Sequence, residues 1–255
     1  MSVADVRGKA VLVVGGTRGI GRAIAERFAQ MGAEVGVTGR NAEQASGVAD
    51  ELAEAHGQPV SGHALDVADR ARIREVVEEF EAQRGRVDAL VYNAGISPSF
   101  TSAEKIDEDT WDAIIATNLT GGFAAAQAFA RRLIAAERPG SVVFIGSVDS
   151  IVGDPRLAAY TASKSGMAGM ARTMAVDWAR YGIRVNTVAP GYVATDLTAG
   201  LQDNERLRKA ITDRTPLGRL AEPKEISDVV VFLASESSTF ITGAVYPVDG
   251  GWTAW

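Results

Sequence analysis

Short, almost wholly apolar runs alternate along the chain with segments whose apolar residues recur every three or four positions. The first run, Ala10-Val11-Leu12-Val13-Val14, has the pattern of a strand buried on both faces of a parallel sheet. Glycines follow at once. From Gly19 to Met31, Ile20, Ala23, Ile24 and Phe28 fall at helical spacing; Gly32 closes the element, and Glu34 to Thr38 begins a second strand. The same reading predicts a helix near 41–56, a strand near 60–64, a helix near 69–84 and the strand Val87 to Val91. A long helix near 108–135 then leads to the strand Ser141 to Ile145, a second long helix over 158–180, and the strand Arg184 to Val188. Strand, helix and strand in succession require right-handed crossovers, so the fold class is α/β, a doubly wound parallel sheet with helices on both faces.

One region breaks this rhythm. Between Gly191 and Glu222 a polar, charged helix, Asn204 to Arg214, stands where a plain connection is expected. Open α/β sheets bind ligands beyond the carboxyl ends of their strands, so an insertion over 191–222 reads as a substrate lid; the alternative is a solvated surface helix. The 255 residues contain no Pro/Gly/Ser linker or repeat, and the expectation is one domain spanning 1–255.

Composition narrows the chemistry. The formal charge is −6, the wrong sign for a protein whose main work is gripping a phosphate backbone, so nucleic acid is not the expected partner. With no cysteine, disulfides, thiolate metal sites and thiol nucleophiles are excluded. The two histidines, His56 and His63, lie outside the motifs and read as surface or packing residues, and no metal is expected. No unbroken apolar run approaches the roughly 18 residues of a membrane span. Ala10 to Val14 leads into glycines instead of a cleavage site, so no membrane partner and a cytoplasmic location are expected.

The segment Gly15-Gly16-Thr17-Arg18-Gly19-Ile20-Gly21 lies between the first strand and the first helix. Residues without a Cβ allow a tight turn and close backbone approach, and a helix N-terminus offers free N–H groups to a pyrophosphate. A glycine run alone is a weak signal; within a βαβ unit it reads as a dinucleotide cradle. A carboxylate at the tip of the second strand would hold a ribose 2′-hydroxyl. Here the tip is Thr38-Gly39-Arg40. Arg40 and Arg18 together suit a 2′-phosphate, so NADP(H) is the preferred cofactor expected, with NAD(H) as the alternative.

Further along stand Asn93-Ala94-Gly95 after the fourth strand, Asn118 in the long helix, Ser147 after the fifth strand, and Tyr160-Thr-Ala-Ser-Lys164 opening the next helix. Tyr160 and Lys164, four apart, share a helical face. A cation beside a phenol, with an oxidised nicotinamide nearby, favours the phenolate, so Tyr160 is expected to be held acidic enough to serve as acid and base. A serine hydroxyl at a neighbouring strand end can hydrogen-bond a reacting oxygen as charge develops.

In this order and spacing, these motifs resemble the short-chain dehydrogenase/reductase family over nearly the whole chain, together with Asp66-Val67, Asn186, Pro190-Gly191, Thr195 and Val248-Asp-Gly-Gly251. The architecture expected is a single-domain Rossmann fold with a seven-stranded sheet. The resemblance implies that Tyr160 is the general acid/base, Ser147 orients the substrate oxygen, Lys164 lowers the tyrosine pKa and holds the nicotinamide ribose, and Asn118 supports a water linked to Lys164. Asp66 and Val67 would contact adenine. Asn93, with Ala94 and Gly95, would line the cofactor ribose, and Pro190, Gly191, Val193 and Thr195 the nicotinamide end, with Gly15, Thr17, Arg18, Gly19, Ile20 and Gly21 forming the cradle.

Two positions depart from the family pattern: Val14 stands where a threonine is usual, and Gly146 where many members carry serine. The small-residue faces Gly121 to Ala128 and Ser165 to Ala171 either pack on the sheet or, as the resemblance implies, join subunits into a homotetramer. Trp252-Thr-Ala-Trp255 reads as a terminus docked against a neighbouring subunit or pocket, with a loose end as the alternative. Met174 to Gly182 and the Asp249-Gly-Gly-Trp252 ending look like the sugar-acid branch, gluconate 5-dehydrogenases above all, where Arg156 either meets a carboxylate or, the favoured reading, stands solvated. The other close branch is the 3-oxoacyl-acyl-carrier-protein reductases: Arg138 matches one carrier-binding arginine, but Tyr181 replaces the second. The expected reaction is hydride exchange between a nicotinamide and a small ketone, secondary alcohol or sugar acid. A cofactor-binding regulator without turnover is the non-enzymatic alternative, disfavoured by the intact Asn118, Ser147, Tyr160 and Lys164.

Overall fold

The computed structural model describes residues 4–97, 100–195, 198, 200 and 204–254. Seven strands form one parallel sheet in the order β3-β2-β1-β4-β5-β6-β7. They are β1 (Ala10–Val14), β2 (Glu34–Gly39), β3 (Val60–Ala64), β4 (Ala89–Tyr92), β5 (Gly140–Ile145), β6 (Ile183–Pro190) and β7 (Val245–Val248). The helices are α1 (Gly19–Gln30), α2 (Ala42–His56), α3 (Arg70–Arg84), α4 (Glu108–Ile114), α5 (Gly121–Ala135), α6 (Ala158–Trp178), α7 (Glu205–Arg214) and α8 (Pro223–Ala234).

The sheet has a core on each face, because alternate strand residues point opposite ways. Ala10, Leu12 and Val14 join Phe80, Phe129, Phe144 and Met167 under α3, α5 and α6. Val11 and Val13 join Ile24, Phe28, Leu52 and Val230 under α1, α2 and α8. All five β1 residues are buried, which is why that stretch reads as continuously apolar. The chain winds from β1 to β2 and β3 on one side and resumes at β4 on the other side of β1. The crevice where strand order reverses lies between β1 and β4, the place where such sheets bind ligands.

Helix ends follow the local chemistry. Asn41 caps α2 by accepting from the Gln44 N–H, and Asp69 caps α3 by accepting from the Ala71 and Arg72 N–H groups.

Boundaries differ in places from the sequence reading. β4 begins at Ala89, two residues later than expected, and β6 extends to Pro190. α6 stops at Trp178 and continues as a 3-10 turn, Ala179–Tyr181. The segment 108–135 is helical throughout, but between α4 and α5 it widens into a π turn, Ile115–Thr120. Tyr92 Oη donates to the Thr117 carbonyl at 2.5 Å, satisfying a group that the wider turn frees.

Apolar runs alone understated this segment. Glu108–Ala135 is long and apolar enough to cross a membrane by length and composition, yet 56% of its most apolar window is buried within the protein. Ala124, Ala125, Ala126 and Phe129 pack into the core beneath it, the behaviour of an interior helix.

Candidate active site

The cradle is built by close backbone approach. A Cβ on Gly21 would lie 2.0 Å from the Gly15 carbonyl oxygen, and one on Gly15 would lie 2.8 Å from the Ala94 nitrogen. Gly15 also has φ +80, in the left-handed region that glycine alone enters freely. Asn93 Nδ2 donates to the Gly15 carbonyl at 2.7 Å, so this side chain ties β4 to the glycine loop. The threonine absent at position 14 is not missed. The Val14 carbonyl accepts from the N–H groups of Asn93 and Ala94 at 2.9 and 3.0 Å, and Thr38 Oγ1 accepts from the Gly15 N–H at 3.1 Å.

At the start of α1, Arg18 provides no side-chain cap and the first turn carries no acidic residue. Its N–H groups and partial positive charge are thus available to an anion. The residues fit a dinucleotide: a cradle that Cβ atoms would fill, opening on an uncapped helix N-terminus. Thr17 packs over Gly39 at the tip of β2, where a Cβ would lie 2.6 Å from the Thr17 methyl. Arg18 and Arg40 are exposed there and form no salt bridge among the described residues, whereas nearby Arg22 pairs with Glu51. Asp66 is exposed beyond β3 and Val67 is buried beside it. Thr195 lies against Gly19, 3.6 Å from where a Cβ would stand, so the segment after β6 closes on the glycine loop. Gly191 is pressed on Asp249, with its N–H donating to the Val248 carbonyl at 3.0 Å. Val193 is buried on the α1 and α8 face.

The second half of the site lies at the carboxyl end of β5. Ser147 and Lys164 are buried, and Tyr160 is half-buried. Lys164 Nζ donates to the Ile145 carbonyl at 2.8 Å and lies 5.6 Å from the centre of the Tyr160 ring. A Cβ on Gly95 would meet both Lys164 Nζ and Asn118 Oδ1 at 3.4 Å. Asn118 is fully buried on the π turn. It accepts from the Ile96 N–H at 2.8 Å and donates to the Ile96 carbonyl and to Ser163 Oγ, both at 3.0 Å, clamping the loop after β4 to α6. Gly146 leaves no room for a larger residue, since a Cβ would lie 2.7 Å from Ser150 Oγ and 2.8 Å from the Thr187 methyl.

The expected acidity of Tyr160 is not found in this state. Burial, and then the charge of Asp149, push the phenol up to about 12, while the neighbouring Ser147 hydroxyl works the other way. Burial brings Lys164 down to about 8, with Asp149 opposing. Desolvation penalises the charged form of each group and is the largest cause in both.

Asp149 has no place in the sequence reading. It is 4% exposed, accepts from Ser147 Oγ at 2.8 Å and from Thr161 Oγ1 at 3.1 Å, and burial raises its pKa. Adjacent loop atoms are stitched to α6 as well: Ser150 Oγ donates to the Lys164 carbonyl and Ser165 Oγ to the Asp149 carbonyl. The signal that could have marked it was an acid two residues after the candidate serine.

Near these groups, α7 is held down by Ile211, which packs with Val148 and Trp252. Arg214 lies 4.0 Å over the Trp252 ring and reaches Asp154 at 3.4 Å, while Tyr192 donates to Asp154 at 3.2 Å. Trp252 is thus docked within its own chain; Trp255 lies outside the described residues. Arg156 is exposed with φ +67. Arg138 donates to Asp88 at 2.9 Å, at the opposite, amino-terminal end of the strands.

Residues 14–253 match the family model adh_short_C2, described as enoyl-(acyl carrier protein) reductase. A 3-oxoacyl-[acyl-carrier-protein] reductase of Thermotoga maritima is 41% identical over 96% of this chain and 98% of its own. A gluconate 5-dehydrogenase of Gluconobacter oxydans is 39% identical over 98% of this chain and 96% of its own. Among solved structures, a gluconate 5-dehydrogenase from Burkholderia cenocepacia, in complex with NADP and tartrate, superposes with a TM-score of 0.95 at 36% identity, covering 100% of both chains. With its cradle, its seven-stranded sheet and these relatives, the chain belongs to the short-chain dehydrogenase/reductase family and is an NAD(P)-dependent oxidoreductase acting on CH–OH groups.

Proposed function

We propose that this protein is an NADP(H)-preferring dehydrogenase/reductase for a small ketone, secondary alcohol or sugar acid. The observation that carries the reading is the gathering of Ser147, Tyr160 and Lys164 beside a glycine cradle, linked through Gly95 and Asn118. A dinucleotide held by its pyrophosphate at the cradle would supply or accept the hydride through its nicotinamide. The residues of the chain hold the substrate and move the proton. Tyr160, with its pKa near 12 in the free protein, keeps its proton at neutral pH and can donate it to the oxygen of a ketone as that oxygen gains charge. Oxidation needs the opposite, a phenol relieved of its proton, so its rate rises with pH. Ser147 orients the substrate oxygen, Lys164 reaches the nicotinamide ribose, and Asn118 holds the loop that carries Gly95.

Exposed Arg18 and Arg40 at the β2 tip support recognition of a 2′-phosphate. Asp66 and Val67 are assigned to adenine, and Pro190, Gly191, Val193 and Thr195 to the nicotinamide end. The lid of a single domain falls to the segment 191–222, of which residues 196, 197, 199 and 201–203 lie outside the described residues; its helix α7 is seated on the substrate side through Ile211 and Arg214. The sugar-acid reading draws on the Burkholderia cenocepacia relative and its bound tartrate.

The second reading, reduction of a carrier-bound 3-oxoacyl group, draws on the Thermotoga maritima relative. Against it, Arg138 is engaged by Asp88, and Tyr181 occupies the position of the second arginine with Arg180 stacked 4.7 Å from its ring. A homotetramer through α5 and α6 is supported by exposed Phe123 and Ser165 on their small-residue faces, and is checked by mass in solution.

The test follows nicotinamide absorbance with 5-ketogluconate, 3-oxoacyl thioesters, small aromatic ketones and diketones. Turnover of the sugar acid or small ketones, faster with NADPH than NADH, is expected. Turnover confined to the thioesters moves the protein to the second reading, and none on the whole panel overturns both.

A further inference from the structure

We propose that Asp149 is a positioning residue that sets which way the Ser147 hydroxyl points its proton. This rests on the role given to Ser147 above. Ser147 Oγ has one proton, and in this structure it is donated to Asp149 Oδ2 at 2.8 Å, while the same oxygen accepts from the Asp149 N–H at 3.2 Å. A ketone oxygen approaching Tyr160 needs that proton as a second donor. An ionised Asp149 competes for it with a charge-assisted hydrogen bond, the stronger kind.

When Asp149 takes up a proton from solvent, its carboxyl O–H donates to Ser147 Oγ and the serine proton turns to the substrate oxygen. No bond between heavy atoms changes: the added proton stays on Asp149, Tyr160 still delivers the proton that ends on the product, and Ser147 keeps its own. Asp149 is anchored for this work. Its Oδ1 accepts from Thr161 at 3.1 Å and its carbonyl from Ser165 at 2.9 Å, so the carboxyl is locked to the first turns of α6, which also carry Tyr160 and Lys164.

The groups facing Asp149 are Asp154 from the same loop, Tyr160 and Lys164 from α6, and Tyr192 from the segment after β6, with Arg214 of α7 paired to Asp154. Asp154 adds to burial in favouring the protonated form of Asp149. The carboxyl therefore titrates above the ordinary carboxylate range.

The experiment measures kcat for ketone reduction and alcohol oxidation against pH in the wild type, Asp149→Asn and Asp149→Ala, with NADPH affinity measured by its fluorescence. An Asn amide can donate permanently to Ser147. The wild-type reductive kcat is expected to fall as pH rises through the Asp149 titration, a limb absent in Asp149→Asn. Limbs from Tyr160 and Lys164 persist in that variant, shifted to lower pH. Asp149→Ala loses the positioning and drops kcat in both directions by about tenfold, with NADPH affinity kept within about twofold. Wild-type turnover with a superimposable Asp149→Asn profile overturns the role of Asp149 alone, as does loss of NADPH affinity in step with kcat in both variants. Absence of turnover in the wild type overturns the role of Ser147 and this inference together.

Discussion

The two halves of the site are made from different materials. Between β1 and β4 the nucleotide cradle is almost all backbone: Gly15, Gly21 and Ala94 approach so closely that a single Cβ has no room, and the arginines at its rim are exposed. Beyond β5 the reacting end is a web of side chains, in which Ser147, Asp149, Ser150, Thr161, Lys164 and Ser165 bind one another or the chain between β5 and α6. A backbone cradle recognises a shape that many enzymes share. A side-chain web sets proton positions and can be retuned one residue at a time.

Replacing Tyr160 by Phe tests the reacting half most severely. Turnover should fall about a thousandfold while nucleotide affinity stays near wild type, and a rate within a few-fold of wild type would remove Tyr160 from its role. In the wild type, the oxidation rate should rise toward alkaline pH, because burial holds the phenol's proton up to about 12 in the free protein. Gly21→Ala strikes the other half: a methyl 2.0 Å from the Gly15 carbonyl forces the loop open, and nucleotide affinity should drop by about 10- to 100-fold. Calorimetric titration with NADPH reads the loss, and unchanged affinity would refute the cradle. Arg40→Asp sharpens the boundary between halves, since it should alter only the choice of cofactor. The ratio of kcat/KM for NADPH to that for NADH should fall by about tenfold or more, and a constant ratio would discard the 2′-phosphate argument. The smallest effect is expected of Arg214→Ala, which releases α7 from Asp154 and Trp252. Substrate KM should rise about threefold with nucleotide KM unchanged, and a rise in nucleotide KM instead would place α7 on the wrong half.

The cradle could be read from the chain before any coordinates, because its requirement is local: glycines directly after an apolar strand and directly before a helix. The partnership of Tyr160 and Lys164 was equally local, one helical turn apart. Long-range pairings were not legible. Nothing in the spacing places Asn93 on the Gly15 carbonyl or Asn118 on Ile96, and the π turn that carries Asn118 has no apolar periodicity of its own. α8 and β7 are not located by that reading either: the continuous apolar run Val229 to Ala234 masks the helical spacing of α8, and β7 is only four residues long with a proline inside it.

Pattern and glycine spacing alone determined the α/β class, the parallel order of elements and the nucleotide crevice, because each depends on neighbours in sequence and on the fixed periods of helix and strand. Only the folded chain decided the charge state of the reacting groups. Tyr160 and Lys164 stand as the periodicity requires, yet their proton affinities follow depth of burial and a carboxylate, Asp149, carried on a different element. Desolvation and cross-element hydrogen bonds are properties of the packed interior, and no local stretch of sequence contains them.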